Sequence, residues 1–182
     1  MPRVDGFNDD EQARNGPVNW KNTIKVATWN VRSLFSTGSA KCVTDELSRY
    51  NIHIAALQEI RWPQQGEIKV GNYTILYSGK EDGAHEFGVG FCIHDKLIKA
   101  VESFTPINEL IAKIRIKFKW FHMSLITAHA PTEDKDDNDK DEFYGNVQDI
   151  YDLVQHHDIR VVLGDMNAKV GKEAEVFGPA IG

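Results

Sequence analysis

Five polar residues stand where apolar runs of this chain stop. The last run is the clearest: Ile159-Arg160-Val161-Val162-Leu163 gives way to Gly164, then to Asp165-Met166-Asn167. The run reads as a buried strand, because it is apolar on both faces and too short for a helix. Gly164 would let the backbone turn sharply at the strand end. Asp165 and Asn167, at i and i+2, would point the same way on extended backbone. Taken alone, the pair serves as well to cap a turn as to do chemistry.

Three other runs end in the same manner. Residues 23–30 close on Trp29-Asn30, residues 52–57 on Gln58-Glu59, and residues 123–128 on His129. If these ends share one edge of the sheets, they form an oxygen-rich site with one imidazole. Carboxylates with asparagine carbonyls suit a hard cation such as Mg²⁺, with Mn²⁺ as a substitute; Mg²⁺ keeps several waters and bridges to phosphate oxygens. Four polar strand ends together favour one site over four separate turn caps.

The elements that must position these residues can be read from periodicity. Val43, Leu47 and Tyr50, at i, i+4 and i+7, predict a helix over about 40–50, after a turn and cap region at 36–39. Pro63 and Gly66 break the chain. Residues 73–77 and 88–94 predict paired strands joined by a polar loop. From 110 to 119 the alternation is nearly strict. Leu110, Ala112, Ile114, Ile116 and Phe118 face one way and Lys113, Arg115, Lys117 and Lys119 the other, so this is a half-buried strand with a solvated face, paired antiparallel with 121–128. Phe143, Val147, Ile150, Tyr151 and Val154 mark a second helix over about 139–156. Strands alternating with helices around a meander predict an α/β sandwich of mixed sheets with covering helices.

Two further patterns fail as binding motifs. The acidic run from Asp134 can be laid on a calcium loop, but Asp139 stands where glycine is needed and Gly145 where glutamate is needed. It reads instead as a solvated loop whose carboxylates favour the next helix's N-terminus. Gly88-Val89-Gly90 lacks the third glycine and the helix of a dinucleotide fingerprint. Trp29 and Trp62 read as packing residues, and His156-His157 as solvent-facing.

With 182 residues the chain is long enough for one domain with a real core. Apolar and charged fractions of 41% and 26% are those of a globular protein. A net charge of −6 argues against a broad nucleic-acid-binding face, though not against meeting phosphates at one point through a cation. Cys42 and Cys92, far apart in apolar contexts, predict buried, reduced thiols in an intracellular protein. No apolar run approaches membrane length, so no membrane association is expected. Residues 1–21, polar and aperiodic, predict a disordered tail ahead of a single domain over 22–182.

Trp29-Asn30-Val31-Arg32, Leu57-Gln58-Glu59, Thr127-Ala128-His129-Ala130-Pro131 and Gly164-Asp165-Met166-Asn167 resemble the successive motifs of the endonuclease/exonuclease/phosphatase family. Gln58-Glu59-Ile60-Arg61-Trp62, and the stretch from Ala130-Pro131-Thr132 to Glu142-Phe143-Tyr144, are most similar to its retrotransposon-like craniofacial development protein 2 group. The resemblance covers about 23–171 and implies a DNase I-like, two-sheet α/β sandwich of mixed and antiparallel sheets flanked by helices. It implies Mg²⁺-dependent hydrolysis of phosphodiesters, with DNA as the substrate class. Glu59 would be the Mg²⁺ ligand and Asn30 would help hold metal and phosphate. His129 would contact the scissile phosphate, Asp165 would orient or activate the attacking water, and Asn167 would stabilise charge on the phosphoryl oxygens.

One departure accompanies the match. Family members continue with more strands and a terminal Asp-His pair, whereas only Ala168 to Gly182 follow Asn167, with no histidine among them. The expectation is the N-terminal part of a nuclease domain, its C-terminal strands missing, with impaired hydrolysis and apolar sheet surface left open. A non-catalytic remnant that binds only metal or a partner, and a phosphatase of the same scaffold, are the alternatives.

Overall fold

The computed structural model describes residues 24–167, so the expectations for the tail at 1–21 and for the stretch after Asn167 lie outside the described residues. Among the described residues nine strands form two sheets. The first, in the order β1-β2-β5-β4-β3, contains β1 (Val26–Asn30), β2 (Ile54–Gln58), β3 (Gln65–Val70), β4 (Tyr73–Ser78) and β5 (Val89–His94). The second runs β6 (Val101–Pro106), β7 (Ile111–Lys117), β8 (His122–His129), β9 (Ile159–Asp165). β1 pairs parallel with β2 and β8 parallel with β9, while every other pairing is antiparallel. Helix α1 (Ser39–Arg49) covers the first sheet, α3 (Asp137–Asp152) covers the second, and the short α2 (Asp95–Ile98) caps the end of β5. The α/β sandwich expected from the alternation is the fold.

Burial on both faces explains the apolar runs. In β2, Ile54 and Ala56 enter the core between the sheets, while Ala55 and Leu57 pack under α1 with Val43 and Leu47. In β8, Leu125 joins the inter-sheet core and Ile126 packs under α3 with Phe143. Strand β7 keeps the predicted register from Ala112 onward, with Ala112, Ile114, Ile116 and Phe118 all inside, whereas Leu110 packs under α3 rather than on this face. Its opposite face is wet only in part. Lys117 is exposed, but Ile111 is buried against α3, and Arg115 is held by Asp158.

Helix α3 begins two residues earlier than predicted, because Asp136 accepts a hydrogen bond from the Asn138 amide and caps it, with Asp137 and Asp139 in the first turn. Val154 lies past its end, yet stays buried. Strands β3 and β6 were not foreseen. β3 is an exposed outer strand whose residues alternate weakly, and Gly66 sits inside it beside Tyr77 rather than breaking the chain. Other expectations need correction. Cys42 is exposed on α1, and only Cys92 is buried, where burial pushes its thiol up to about 12. Tyr50, at the end of α1, is exposed. Trp62 packs edge-on against Tyr77 and donates to the Leu34 carbonyl, but Trp29 is 39% exposed. His156 and His157 are exposed, as expected. No helix among the described residues is long and apolar enough to cross a membrane.

Candidate active site

Four strands carry the same inward-facing pattern, apolar and then polar. Along β1 it reads Val26, Thr28, Asn30; along β2, Ile54, Ala56, Gln58; along β8, Leu125, Thr127, His129; and along β9, Val161, Leu163, Asp165. Parallel pairing of β1 with β2 and of β8 with β9 brings the polar ends together: Asn30 is opposite Gln58, and His129 is opposite Asp165. Beneath them lies a buried amide bridge. Thr28 donates to Gln58 Oε1 at 3.2 Å, and Gln58 Nε2 donates to Thr127 Oγ1 at 3.1 Å, joining the two sheets under the site.

Strict alternation would send Glu59 to the α1 side with Leu57. Left-handed backbone at Glu59 (φ 55°) breaks the alternation, and its carboxylate reaches the site instead. Asn30 Nδ2 donates to Glu59 Oε1 at 2.8 Å and to Asp165 Oδ2 at 3.1 Å. The Asn30 side-chain oxygen, Oδ1, accepts from the backbone N–H of Arg32 at 3.1 Å. Arg61 Nη2 donates to the outer oxygen of Glu59 at 2.9 Å. His129 Nε2 lies 4.0 Å from Glu59 Oε1, while its Nδ1 is buried with no partner.

The structure therefore brings together Asn30, Glu59, His129 and Asp165. Asn167 stands beside them in a different way. Its backbone is left-handed (φ 47°), so it does not continue β9; its N–H donates to Asp165 Oδ1 at 3.1 Å and its side-chain amide to the Ala130 carbonyl at 2.6 Å. Asp165 is thus both a turn cap and a member of the cluster. Gly164 does not turn the chain either. It lies within β9, where a Cβ would stand 1.8 Å from the Ala128 carbonyl oxygen.

Local electrostatics keep both acids ionised and the imidazole neutral. Burial alone pushes the Glu59 carboxyl up, but hydrogen bonds from Asn30 and Arg61 and the nearby His129 outweigh it and hold it below the ordinary carboxylate value. The Asn30 hydrogen bond is the main reason that Asp165 is also held low, against burial and with help from the Asn167 N–H. Burial lowers His129 more than its two carboxylate neighbours raise it.

A cavity of about 410 Å³ opens beside the cluster, lined by Thr28, Trp29, Asn30, Gln58, Asp165 and Asn167 among others. Among the described residues, no three His, Cys, Asp or Glu side chains are grouped to enclose a metal ion. The donor present fits a cation that keeps most of its water: one ionised carboxylate, Glu59. The Asn30 amide turns its NH₂ to the carboxylates and its oxygen to the Arg32 N–H, so it holds Glu59 rather than facing the cation as expected. Two site residues were not singled out from the sequence. Gln58 was visible only as the neighbour of Glu59, and its burial follows from sheet packing. Arg61, two residues past Glu59, has left-handed backbone (φ 60°), which no sequence pattern announced.

A model of the Endonuclease/Exonuclease/phosphatase family matches residues 27–172. Craniofacial development protein 2 of Tragulus javanicus is 28% identical over 173 residues, covering 95% of this chain and 29% of that protein. The chain thus spans under a third of the length of this relative. Among solved structures, D. rerio TDP2 complexed with single strand DNA product superposes with a TM-score of 0.59 at 15% identity, covering 85% of this chain and 63% of that one. The endonuclease domain of TRAS1, a telomere-specific non-LTR retrotransposon, gives 0.55 at 14%, covering 81% and 60%. The mannosyl-6-phosphatase Bt3783 of Bacteroides thetaiotaomicron VPI-5482 gives 0.59 at 14%, covering 86% and 70%. At these identities the superpositions establish a shared fold.

Proposed function

The chain belongs to the endonuclease/exonuclease/phosphatase family, and from that premise we propose that it carries the phosphate-binding side of a Mg²⁺-dependent phosphodiesterase centre acting on nucleic acid. The observation that carries this reading is the Asn30 amide, which ties Glu59 of one sheet to Asp165 of the other.

Bound beside Glu59, the cation would neutralise charge that develops on the phosphoryl oxygens. The protein's own groups then divide the work. Glu59, held ionised, binds; Asn30 fixes the spacing of the two carboxylates. Asp165, also ionised, accepts the hydrogen bond that orients the attacking water and takes its proton as the water oxygen bonds to phosphorus; the ester P–O bond breaks and the leaving oxygen is protonated by solvent. His129 offers a neutral Nε2–H to a phosphoryl oxygen, in the tautomer that leaves Nδ1 unprotonated. Asn167 stabilises the same charge once its amide leaves the Ala130 carbonyl. Fixed donors of this kind gain most where charge develops in the transition state.

The test is Mg²⁺-dependent nicking of supercoiled plasmid by the purified chain, with Asp165→Ala alongside. Nicking that survives Asp165→Ala overturns the site assignment. Faster release of phosphate from small phosphomonoesters than nicking would favour a phosphatase, the activity named for Bt3783. A readout independent of turnover is the broadening of backbone resonances by Mn²⁺. It should centre on Asn30 and Glu59 and vanish in Glu59→Gln; unchanged broadening in that variant removes Glu59 as a ligand.

A further inference from the structure

A further cavity, of about 330 Å³, has His129 in its lining. Phe87, Leu110, Pro131 and Phe143 give it apolar walls, and Asn108 stands among them. The same His129 has its Nε2 4.0 Å from Glu59 Oε1, so one imidazole lines the cavity and borders the Glu59 cluster.

Phe87 is the unusual wall. It is a bulky residue with left-handed backbone (φ 55°), a conformation that costs energy and persists only where its surroundings enforce it. They do so here. The Arg61 N–H donates to the Phe87 carbonyl at 2.7 Å, and Gly88, also left-handed, donates to the Glu109 carbonyl at 3.0 Å. The ring remains 38% exposed, its centroid 6.4 Å from that of His129, with the Lys80 ammonium 5.5 Å from the ring centroid. An aromatic ring held against its backbone preference, exposed and beside a phosphate-contacting imidazole, is a stacking platform rather than core.

We propose that this cavity is a nucleobase subsite, taking the base attached to the phosphate that His129 contacts, with Phe87 as the stacking, specificity-determining residue. The inference rests on the phosphodiesterase reading above. Three features select a base. The cavity's volume lies at the small end of ligand sites. The Asn108 amide oxygen is already occupied by the N–H groups of Leu110 and Ile111, both at 2.8 Å, so its NH₂ has donors left for an acceptor on a ring edge. An aliphatic group would leave those donors unpaired. Asp139, Glu142 and Lys135 also line the cavity, and this acidic surplus of one charge favours an uncharged base there over a second phosphate.

The test compares two probes with the same phosphate, thymidine 5′-monophosphate and methyl phosphate, titrated into the intact chain with Mg²⁺ and followed by NMR. The nucleotide should bind more tightly, and the Phe87 and Leu110 resonances should move with it alone. Phe87→Ala should weaken nucleotide binding on the order of 10-fold, the worth of one base–aromatic stack, and leave methyl phosphate unchanged. Phe87→Tyr should restore it. Asn146→Trp, placed at an exposed position on α3 that lines the cavity, should fill the subsite and give the same selective loss without touching Phe87. Equal affinity of the two probes in the unmodified chain overturns the subsite, and so does a parallel loss of both in Phe87→Ala. The phosphodiesterase reading fails separately: binding of both probes that ignores Mg²⁺ and Glu59→Gln would sink it while leaving any preference for the base intact.

Discussion

Asn30 and Asp165, 135 residues apart and on the outer strands of different sheets, are joined by a 3.1 Å hydrogen bond. The bond sets a carboxamide between two carboxylates that would otherwise repel, and it is the main cause of the low Asp165 pKa. In Asn30→Ala the Asp165 carboxyl should therefore titrate at higher pH, since burial, which opposes ionisation, is left with less to offset it. Carboxyl ¹³C shifts followed through the acid range would measure it. An unmoved Asp165 midpoint would mean that the amide does not hold this carboxylate.

Gln58 should matter for stability as well as geometry. Its side chain is 1% exposed and bridges Thr28 to Thr127, which is itself fully buried. Gln58→Leu keeps the volume but strands the Thr127 hydroxyl, so a loss of about 1–3 kcal/mol is expected. Urea unfolding measures the loss. The second readout is the Asn30–Asp165 contact, which spans the same gap between sheets. Asp165 titration should shift in Gln58→Leu even though Gln58 does not touch Asp165. A stability loss with no such shift would leave the bridge a fastener only.

What a sequence shows of its fold depends on which forces are local. The core face of β7 from Ala112 onward was legible, because strict alternation meets one apolar core, but Leu110 and Ile111 pack under α3 instead. Asn30, His129 and Asp165 were legible as strand ends, since period-two burial carries their orientation. Glu59 was legible as the end of an apolar run but its direction was not, because its carboxylate enters the site through left-handed backbone that alternation does not encode. Strands β3 and β6 escaped for a related reason: outer strands bury little, so partner hydrogen bonds rather than apolar spacing define them. Exposure of Cys42 and Trp29 is likewise a property of the packed whole.

Gly164 offers a sharper test of how β9 meets β8. A Cβ there would fall 1.8 Å from the Ala128 carbonyl oxygen, a backbone atom that cannot swing aside. Gly164→Ala must therefore push the strands apart next to the His129–Asp165 pair. The expected loss is about 3 kcal/mol or more, with weakened protection of the Ala130 amide, which donates to the Asp165 carbonyl at 2.8 Å. Hydrogen exchange at Ala130 as slow as in the unmodified chain would show that the two strands yield without separating.

Asp158 should make stability depend on acid through a site remote from the Glu59 cluster. Its side chain is 1% exposed, accepts from Arg115 Nε at 2.7 Å and Nη2 at 3.0 Å, and accepts from Ser124 Oγ at 2.7 Å. The Arg115 guanidinium, first among the causes, holds its carboxyl below the ordinary value against burial. A carboxyl lowered in the folded state contributes stability that is present above its unfolded pKa, about 3.9, and is lost as pH falls through the folded value. Asp158→Asn keeps the shape but leaves Arg115 facing a neutral amide, so at neutral pH it should cost about 2 kcal/mol, less than a fully buried pair because Arg115 is partly exposed. Below the folded pKa the unmodified carboxyl is neutral too, and the difference between the two proteins should shrink towards zero. Unfolding curves across the acid range measure it, and a gap that stays constant with pH would show that packing rather than charge holds β7 to the turn before β9.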